Sequence, residues 1–263
     1  MHVILTHEQA DFDAVAAELG AYLLNERALP ILPRRMNRNV RSFITLYGAE
    51  LPFIEARDLP PGSIRQITLV DTQSLVTLKG MGQNTAVQVI DHHQPRADAP
   101  ANWMITTDKT GACTTLFVES LQEHNGGNLS EVQASLLLLG IYEDTGSLTY
   151  AGTTVRDVRA AAYLLEQGAS LRIVGDYLNP PLSPEQRQLY DRLLTSAEPH
   201  HINGQNVIIA YANAENMSEE ISSVAHKLRD LLDPDALILL VSTSDGVRMV
   251  ARSTSDLVDV SAI

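Results

Sequence analysis

The sequence predicts an α/β protein: a mostly parallel sheet with helices on both faces, followed by a smaller α/β domain. Three observations carry this. Short β-branched runs alternate with amphipathic helical patterns from residue 1 to about 180, the signature of βαβ units. Three of those runs end in carboxylates and imidazoles, where open α/β sheets place their ligands. The break Asn179-Pro180-Pro181-Leu182-Ser183-Pro184 then stops all periodicity before the alternation restarts.

Taken in order, strands are expected near 2–6, 28–32, 66–70 and 86–90. The first, Val3-Ile4-Leu5-Thr6, leads into His7, Asp11 and Asp13; the third, Ile67-Thr68-Leu69-Val70, into Asp71; the fourth, Ala86-Val87-Gln88-Val89-Ile90, into Asp91-His92-His93. Helical periodicity marks Asp13 to Asn25, Thr114 to His124, Ser130 to Tyr142 and Val155 to Gln167, the last closing on Gly168. After the third of these helices, Tyr142-Glu143-Asp144-Thr145-Gly146 reads as a turn with Asp144 at its tip. Ser183 as N-cap and Pro184 at the first helical position start a connecting helix through Ala197. The domain boundaries expected are 1–180, a linker helix over 181–199, and 200–263. In the last, strands over 206–211, 236–241 and 247–252 flank a helix from Ser218 to Leu232. The close, Asp259-Val260-Ser261-Ala262-Ile263, has a helical pattern with no stop signal, which suggests a fragment of a longer chain.

A hydrophobic content of 44% is ample for a core, and no apolar run approaches the roughly 20 residues of a membrane span. The start lacks the basic and apolar regions of a signal peptide, so a cytoplasmic location is expected. The single cysteine, Cys113, excludes an internal disulfide and a thiolate metal cluster. Any metal must then be held by His and Asp, which favours manganese, magnesium or iron over structural zinc. A net charge of −13 argues against broad adhesion to a nucleic-acid backbone, which needs Lys and Arg. It leaves room for a small phosphate ester, because bound divalent cations reverse the local sign.

The spacing permits a two-metal site. If Asp71 bridges, one cation takes His7, Asp11 and Asp71, and the other takes Asp13, Asp71, His92 and Asp144. Two cations roughly 3.5–4 Å apart activate water and polarise a phosphoryl oxygen. Each residue alone has a plainer reading: Asp11 as an N-cap, Asp71 and Asp144 as turn formers, His92-His93 as a solvated loop. The joint pattern, six ligand-type residues at the ends of consecutive elements, favours the site. Elsewhere the plain readings are preferred. Cys113, Trp103 and Phe117 are expected in the core, His200-His201 in a loop, and Arg34, Arg35, Arg38 and Arg41 on a solvated helix face.

The series His7–Asp11–Asp13, Asp71, Asp91-His92-His93 and Asp144 resembles the four motifs of the DHH phosphoesterase superfamily, over about residues 1–150. The later segment is similar to a DHH-associated domain. The resemblance implies a DHH fold and a metal-dependent phosphodiesterase hydrolysing short oligonucleotides, cyclic dinucleotides or related nucleotide phosphates. It implies two Mn2+ ions, with Mg2+ as the alternative, on His7, Asp11, Asp13, Asp71, His92 and Asp144. It further implies Asp71, Asp91 and His93 as catalytic residues, with His93 on the phosphate, Asp91 orienting an imidazole, and Arg252 and Ser253 binding substrate. A Gly-Gly-Gly-His loop usual after the Arg-Ser strand is missing. The first motif, Thr6-His7-Glu8-Gln9-Ala10-Asp11-Phe12-Asp13-Ala14, is similar to the unit at the front of fusions with CBS domains and a tRNA nucleotidyltransferase. That implies a second possibility, a nucleotide- or RNA-binding regulatory module with little turnover. A homodimer is a further expectation. Inorganic pyrophosphatase fits less well, because residues 200–263 offer only Lys227, Arg229, Arg248 and Arg252 as basic side chains.

Overall fold

Six strands lie wholly in parallel in the first part of the chain, in the order β3-β2-β1-β4-β5-β6. They are β1 (His2–Leu5), β2 (Leu29–Leu32), β3 (Ile54–Glu55), β4 (Gln66–Val70), β5 (Ala86–Asp91) and β6 (Met104–Thr107). The helices are α1 (Phe12–Leu24), α2 (Arg38–Tyr47), α3 (Cys113–Glu123), α4 (Glu131–Thr145), α5 (Val155–Glu166) and α6 (Leu171–Leu178). The computed structural model describes residues 1–124, 128–178, 181–214, 221–253 and 258. The chain divides into two compact units, Met1–Pro180 and Pro181–Ile263.

The strand order places a topological switch point between β1 and β4. There the chain has wound outward in one direction and returns to build in the other, opening a crevice at the carboxyl ends of the strands. Register brings the right residues to it. Leu5 pairs with Leu69 and Val70 with Ile90, so His7, Asp71 and Asp91 leave the sheet along one edge. Alternation sets the two faces. Ile4 and Val70 point to the side packed by Ala17 and Ala21 of α1 and Phe117 of α3. Val3, Leu5, Ile67, Leu69, Val87 and Val89 point the other way, where Ile64, Leu75, Leu78, Met81 and Trp103 from connecting segments cover them.

Behind the sheet, α4 is apolar nearly all round, with Leu136 to Leu139 fully buried, as befits a helix enclosed by others. Its start is a capping box in which Ser130 and Gln133 satisfy each other's amides, and it ends at Gly146 in the left-handed region, φ 55°. Gly140 sets how closely α4 approaches α1. A Cβ added there would lie 2.7 Å from Ala16 Cβ, 2.6 Å from Thr114 Oγ1 and 3.1 Å from the Phe12 carbonyl. Gly140→Ala therefore forces two helices apart despite its better helix propensity. Urea unfolding is expected to show a loss of roughly 1–3 kcal/mol; an unchanged midpoint would mean that the contact is slack.

The second unit carries a four-stranded sheet, order β10-β9-β8-β7, from β7 (Glu198–Ile202), β8 (Gln205–Asn213), β9 (Ala236–Thr243) and β10 (Gly246–Ser253). Only β8 and β9 are parallel, joined through α8 (Ile221–Leu232); the outer pairs are antiparallel hairpins. The β7–β8 turn has positive φ at both Asn203 (50°) and Gly204 (83°), the backbone of a type I′ turn that matches strand twist. One sheet face, including Ile208, Ala210, Leu237 and Leu239, packs on Val224 and Leu228 of α8 and on Leu189 and Leu193 of α7 (Pro184–Thr195). The connecting helix, capped by Ser183 with Pro184 in its first turn, is thus built into this unit.

Some expectations shift. Asp144 lies in the last turn of α4 rather than at the tip of a turn, because the helix runs to Thr145 before Gly146 stops it. His200 and His201 stand in β7, opposite Val207 and Asn206, and not in a loop. The four arginines are exposed, but only Arg38 and Arg41 belong to a helix. Residues 218–220 and the closing run 259–263 fall outside the described residues.

Candidate metal centre

Five elements converge at the crevice. The loop after β1 brings His7; Asp11 caps α1, accepting from the Ala14 amide at 3.1 Å, and Asp13 sits in its first turn. Asp71 follows β4, Asp91 ends β5 with His92 and His93 beyond it, and Asp144 projects from α4. Glu143 beside it accepts the Phe12 amide, tying the end of α4 to the start of α1. The six residues expected to hold metal form two groups, His7–Asp11–Asp71 and Asp13–His92–Asp144.

Asp71 faces both. Its Oδ2 lies 3.5 Å from His7 Nε2 and its Oδ1 3.5 Å from His92 Nε2. His92 Nε2 is also 3.5 Å from Asp144 Oδ2 and 3.9 Å from Asp13 Oδ2, and His7 Nε2 is 4.0 Å from Asp11 Oδ1. These separations are long for shared protons. They suit pairs of donors each about 2 Å from a common cation. The backbone at Asp71 reinforces the point, because its φ of 53° lies in the left-handed region that a non-glycine residue adopts at a cost of about 1–3 kcal/mol.

The surrounding partners prepare the donors. The Thr110 carbonyl, 3.2 Å from His92 Nδ1, can take that ring proton and leave Nε2 with its lone pair toward the carboxylates. His92 Nε2 and Asp71 Oδ1 are both buried without a hydrogen-bond partner. Such orphaned atoms ordinarily carry a penalty. A divalent cation would satisfy both, so the donor set fits one. Asp13, fully buried, accepts from the Cys113 and Thr114 amides at 2.7 and 2.8 Å, the free N–H groups at the start of α3.

Electrostatics tell the same story. Burial, then the neighbouring Asp13 and Asp11 carboxylates, push Asp144 up to about 10, and burial with Asp13 pushes Asp71 up to about 8. Burial also raises Asp13. The Asp71 carboxylate facing its ring raises His7 to about 9. Concentrated negative charge of this kind holds protons unless cations replace them.

Asp91 behaves differently. Burial pushes its carboxyl up, but hydrogen bonds from His93 and Gln73 outweigh it and hold it near 2. Its Oδ1 accepts from His93 Nδ1 at 2.8 Å and from the His93 amide at 3.1 Å, which fixes the exposed His93 ring at the rim. His93, His7, Asp11, Asp71, Asp91 and Asp144 line a cavity of about 500 Å³ together with Thr72, Gln73, Gln94 and Arg96. Gln73, Thr110, Glu143 and Arg96 were not foreseen, since their partners lie far along the chain. Arg252 and Ser253 belong to β10 in the second unit, where Arg252 donates to the Ala251 carbonyl and Ser253 to the Asp235 carbonyl. Cys113 is fully buried and its thiol is pushed well up, chiefly by that burial. It is expected to resist a disulfide reagent in native buffer and to react in full once denatured; rapid native labelling would contradict its place behind the site.

A family model described as the N-terminal domain of the DHH family matches residues 2–141. The chain is 35% identical over its full length to an A-adding tRNA nucleotidyltransferase of Geobacter sulfurreducens, of which it spans 30%. It is 26% identical to the bifunctional oligoribonuclease and PAP phosphatase NrnA of Thermus thermophilus, a match covering 95% of this chain and 75% of that protein. A crystal structure of an exopolyphosphatase-related protein from Bacteroides fragilis superposes with a TM-score of 0.74, at 15% identity, over 96% of this chain and 78% of that one, a likeness of fold.

Proposed function

The chain belongs to the DHH family, and from that premise we propose that it is a manganese-dependent phosphodiesterase acting on short oligonucleotides or related nucleotide phosphates. The observation that carries the reading is the divided carboxylate of Asp71, one oxygen toward His7 and the other toward His92. His7, Asp11 and Asp71 would hold one divalent cation, and Asp13, Asp71, His92 and Asp144 the other. Bound there, such ions supply an activated water and positive charge for phosphoryl oxygens. The chain's own residues do the rest. Thr110 fixes the tautomer of His92, and Asp91, itself gripped by Gln73, holds His93 where it can donate to a phosphate oxygen. Arg252, with Ser253 beside it, offers a fork of donors suited to phosphate or nucleotide. The nucleotide class is supported by the similarity to an oligoribonuclease and PAP phosphatase.

Hydrolysis under manganese of short RNA and DNA, cyclic dinucleotides, phosphoadenosine phosphate and pyrophosphate tests the reading. Cleavage of a nucleotide member is expected, and loss of it on chelation. Silence toward all nucleotides alongside measurable nucleotide binding would instead favour a regulatory module with little turnover. One observation favours that second reading: the chain is 35% identical over its full length to an A-adding tRNA nucleotidyltransferase, of which it spans 30%.

A further inference from the structure

The tripeptide Thr110-Gly111-Ala112, between β6 and α3, meets one half of the metal centre from behind. The Thr110 carbonyl stands 3.2 Å from His92 Nδ1. The amides that follow the tripeptide, those of Cys113 and Thr114, donate to Asp13 at 2.7 and 2.8 Å. Gly111 lies against Thr145, the residue after Asp144: a Cβ there would stand 2.6 Å from Thr145 Cγ2. Asp13, His92 and Asp144 are the three members of one ligand group. In the other group, His7 and Asp11 come from the connection between β1 and α1.

What fixes the tripeptide is Asp157, fully buried in the first turn of α5. As the third residue of a capping box it needs one bond, from the Thr154 amide, and has it at 2.7 Å. Its carboxylate does more. Oδ1 and Oδ2 share the Gly111 amide at 3.0 and 2.9 Å, Oδ1 accepts the Thr115 hydroxyl at 2.6 Å, and Oδ2 accepts the Thr154 hydroxyl at 2.7 Å. Burial pushes this carboxyl up, but the hydrogen bonds outweigh it and hold it below the usual carboxylate range. A Cβ at position 111 would come within 2.9 Å of Asp157 Oδ2, so glycine is what lets the backbone sit this close. Capping α5 asks for no bond to Gly111 or Thr115. Those two contacts instead tie the start of α3, with the groups it aims at the centre, to a charged anchor.

We propose that Asp157 is a positioning residue for the Asp13–His92–Asp144 half of the metal centre, acting through the backbone from Thr110 to Thr114. This rests on the two-cation reading of the site and adds an asymmetry to it: Asp157 braces the donors of one cation and leaves those of the other alone. Partners standing behind metal ligands typically set metal affinity by about 10–100-fold.

The test titrates manganese alone into the metal-free chain and reads the free ion by electron paramagnetic resonance. The wild type is expected to take up two ions. Asp157→Asn, which keeps the shape but loses the charge and one acceptor, should hold one ion as before and the other about tenfold or more weakly. Combined with Asp144→Ala, which already disables the braced half, Asp157→Asn should leave the affinity for the remaining ion within about twofold. Thr154→Ala separates capping from bracing: it should lower the melting temperature by a few degrees and leave both affinities in place. Thr115→Val deletes a single bond to the carboxylate and should weaken the same ion by a smaller factor, and it decides the matter if Asp157→Asn does not fold. Unchanged binding in the Asp157 and Thr115 variants, equal weakening of both ions, or the same loss in Thr154→Ala overturns the role of Asp157. Turnover is followed separately on the wild type. Two bound ions without hydrolysis of any nucleotide would count against the phosphodiesterase, while the titrations would still decide the role of Asp157.

Discussion

Replacing Asp71 with alanine is expected to lower manganese-dependent kcat/KM by roughly three orders of magnitude, about 4 kcal/mol of barrier, while leaving the far-ultraviolet circular dichroism unchanged. The reason is geometric. No other carboxylate here divides its oxygens between both histidines, at 3.5 Å each, so its loss removes a donor from both halves at once. Asp71→Asn is the sharper control, since it preserves shape and one oxygen but lacks the charge. The asparagine variant should fall nearly as far. In the metal-free state both variants should unfold at higher temperature than the wild type, because they delete a buried carboxyl whose charge is opposed by burial and by Asp13. Turnover within a few-fold of wild type in either variant would remove Asp71 from the mechanism.

Chelation is the second large effect. Removing divalent metal at pH 8 should lower the melting temperature by roughly 5–10 °C, as expected when a ligand present at about a hundred times its dissociation constant is withdrawn. The sign of the pH dependence follows from the direction of the shifts. Asp71, at about 8 against 3.8, and Asp144, at about 10, keep their protons in the folded chain at pH values where the unfolded chain has lost them. The folded state then binds more protons from about pH 4 upward, and metal-free stability falls as pH rises. His7, raised to about 9, adds stability that is complete below 6.5 and lost toward 9, in the same direction. The metal-free protein should therefore melt higher at pH 5 than at pH 8, and the gap closed by manganese should widen with pH. Scanning fluorimetry across that range checks it; a metal-free melting temperature that rises with pH would contradict the buried carboxylate cluster.

Legibility in the sequence followed the strength of local signals. β1, β4 and β5 could be read because apolar runs stop abruptly at charged residues, and the burial that makes them runs also makes them central strands. β3, two residues long, and β6, half exposed with Met104 facing out, left too short a pattern. β7 was hidden by Pro199 and two histidines, which a strand tolerates because it stands at the sheet edge. The six residues that cluster at the crevice could be read from spacing, since each stands at or near the end of an apolar element. Gln73, Thr110 and Arg96 could not, because their partners in the site stand 18 to 23 positions away along the chain and nothing in their neighbours announces them.

Gly140 gives the site an unusual dependence on the core. Asp13 and Asp144 stand on α1 and α4, the two helices whose approach that glycine sets. The interior behaves as a calibrated spacer, and a repacking that a stability screen accepts as neutral can still detune the distance between ligands. Residues far from solvent and remote from substrate thereby bear on the chemistry, and a larger side chain at position 140 calls for smaller ones at Ala16 or Thr114, the neighbours it would meet.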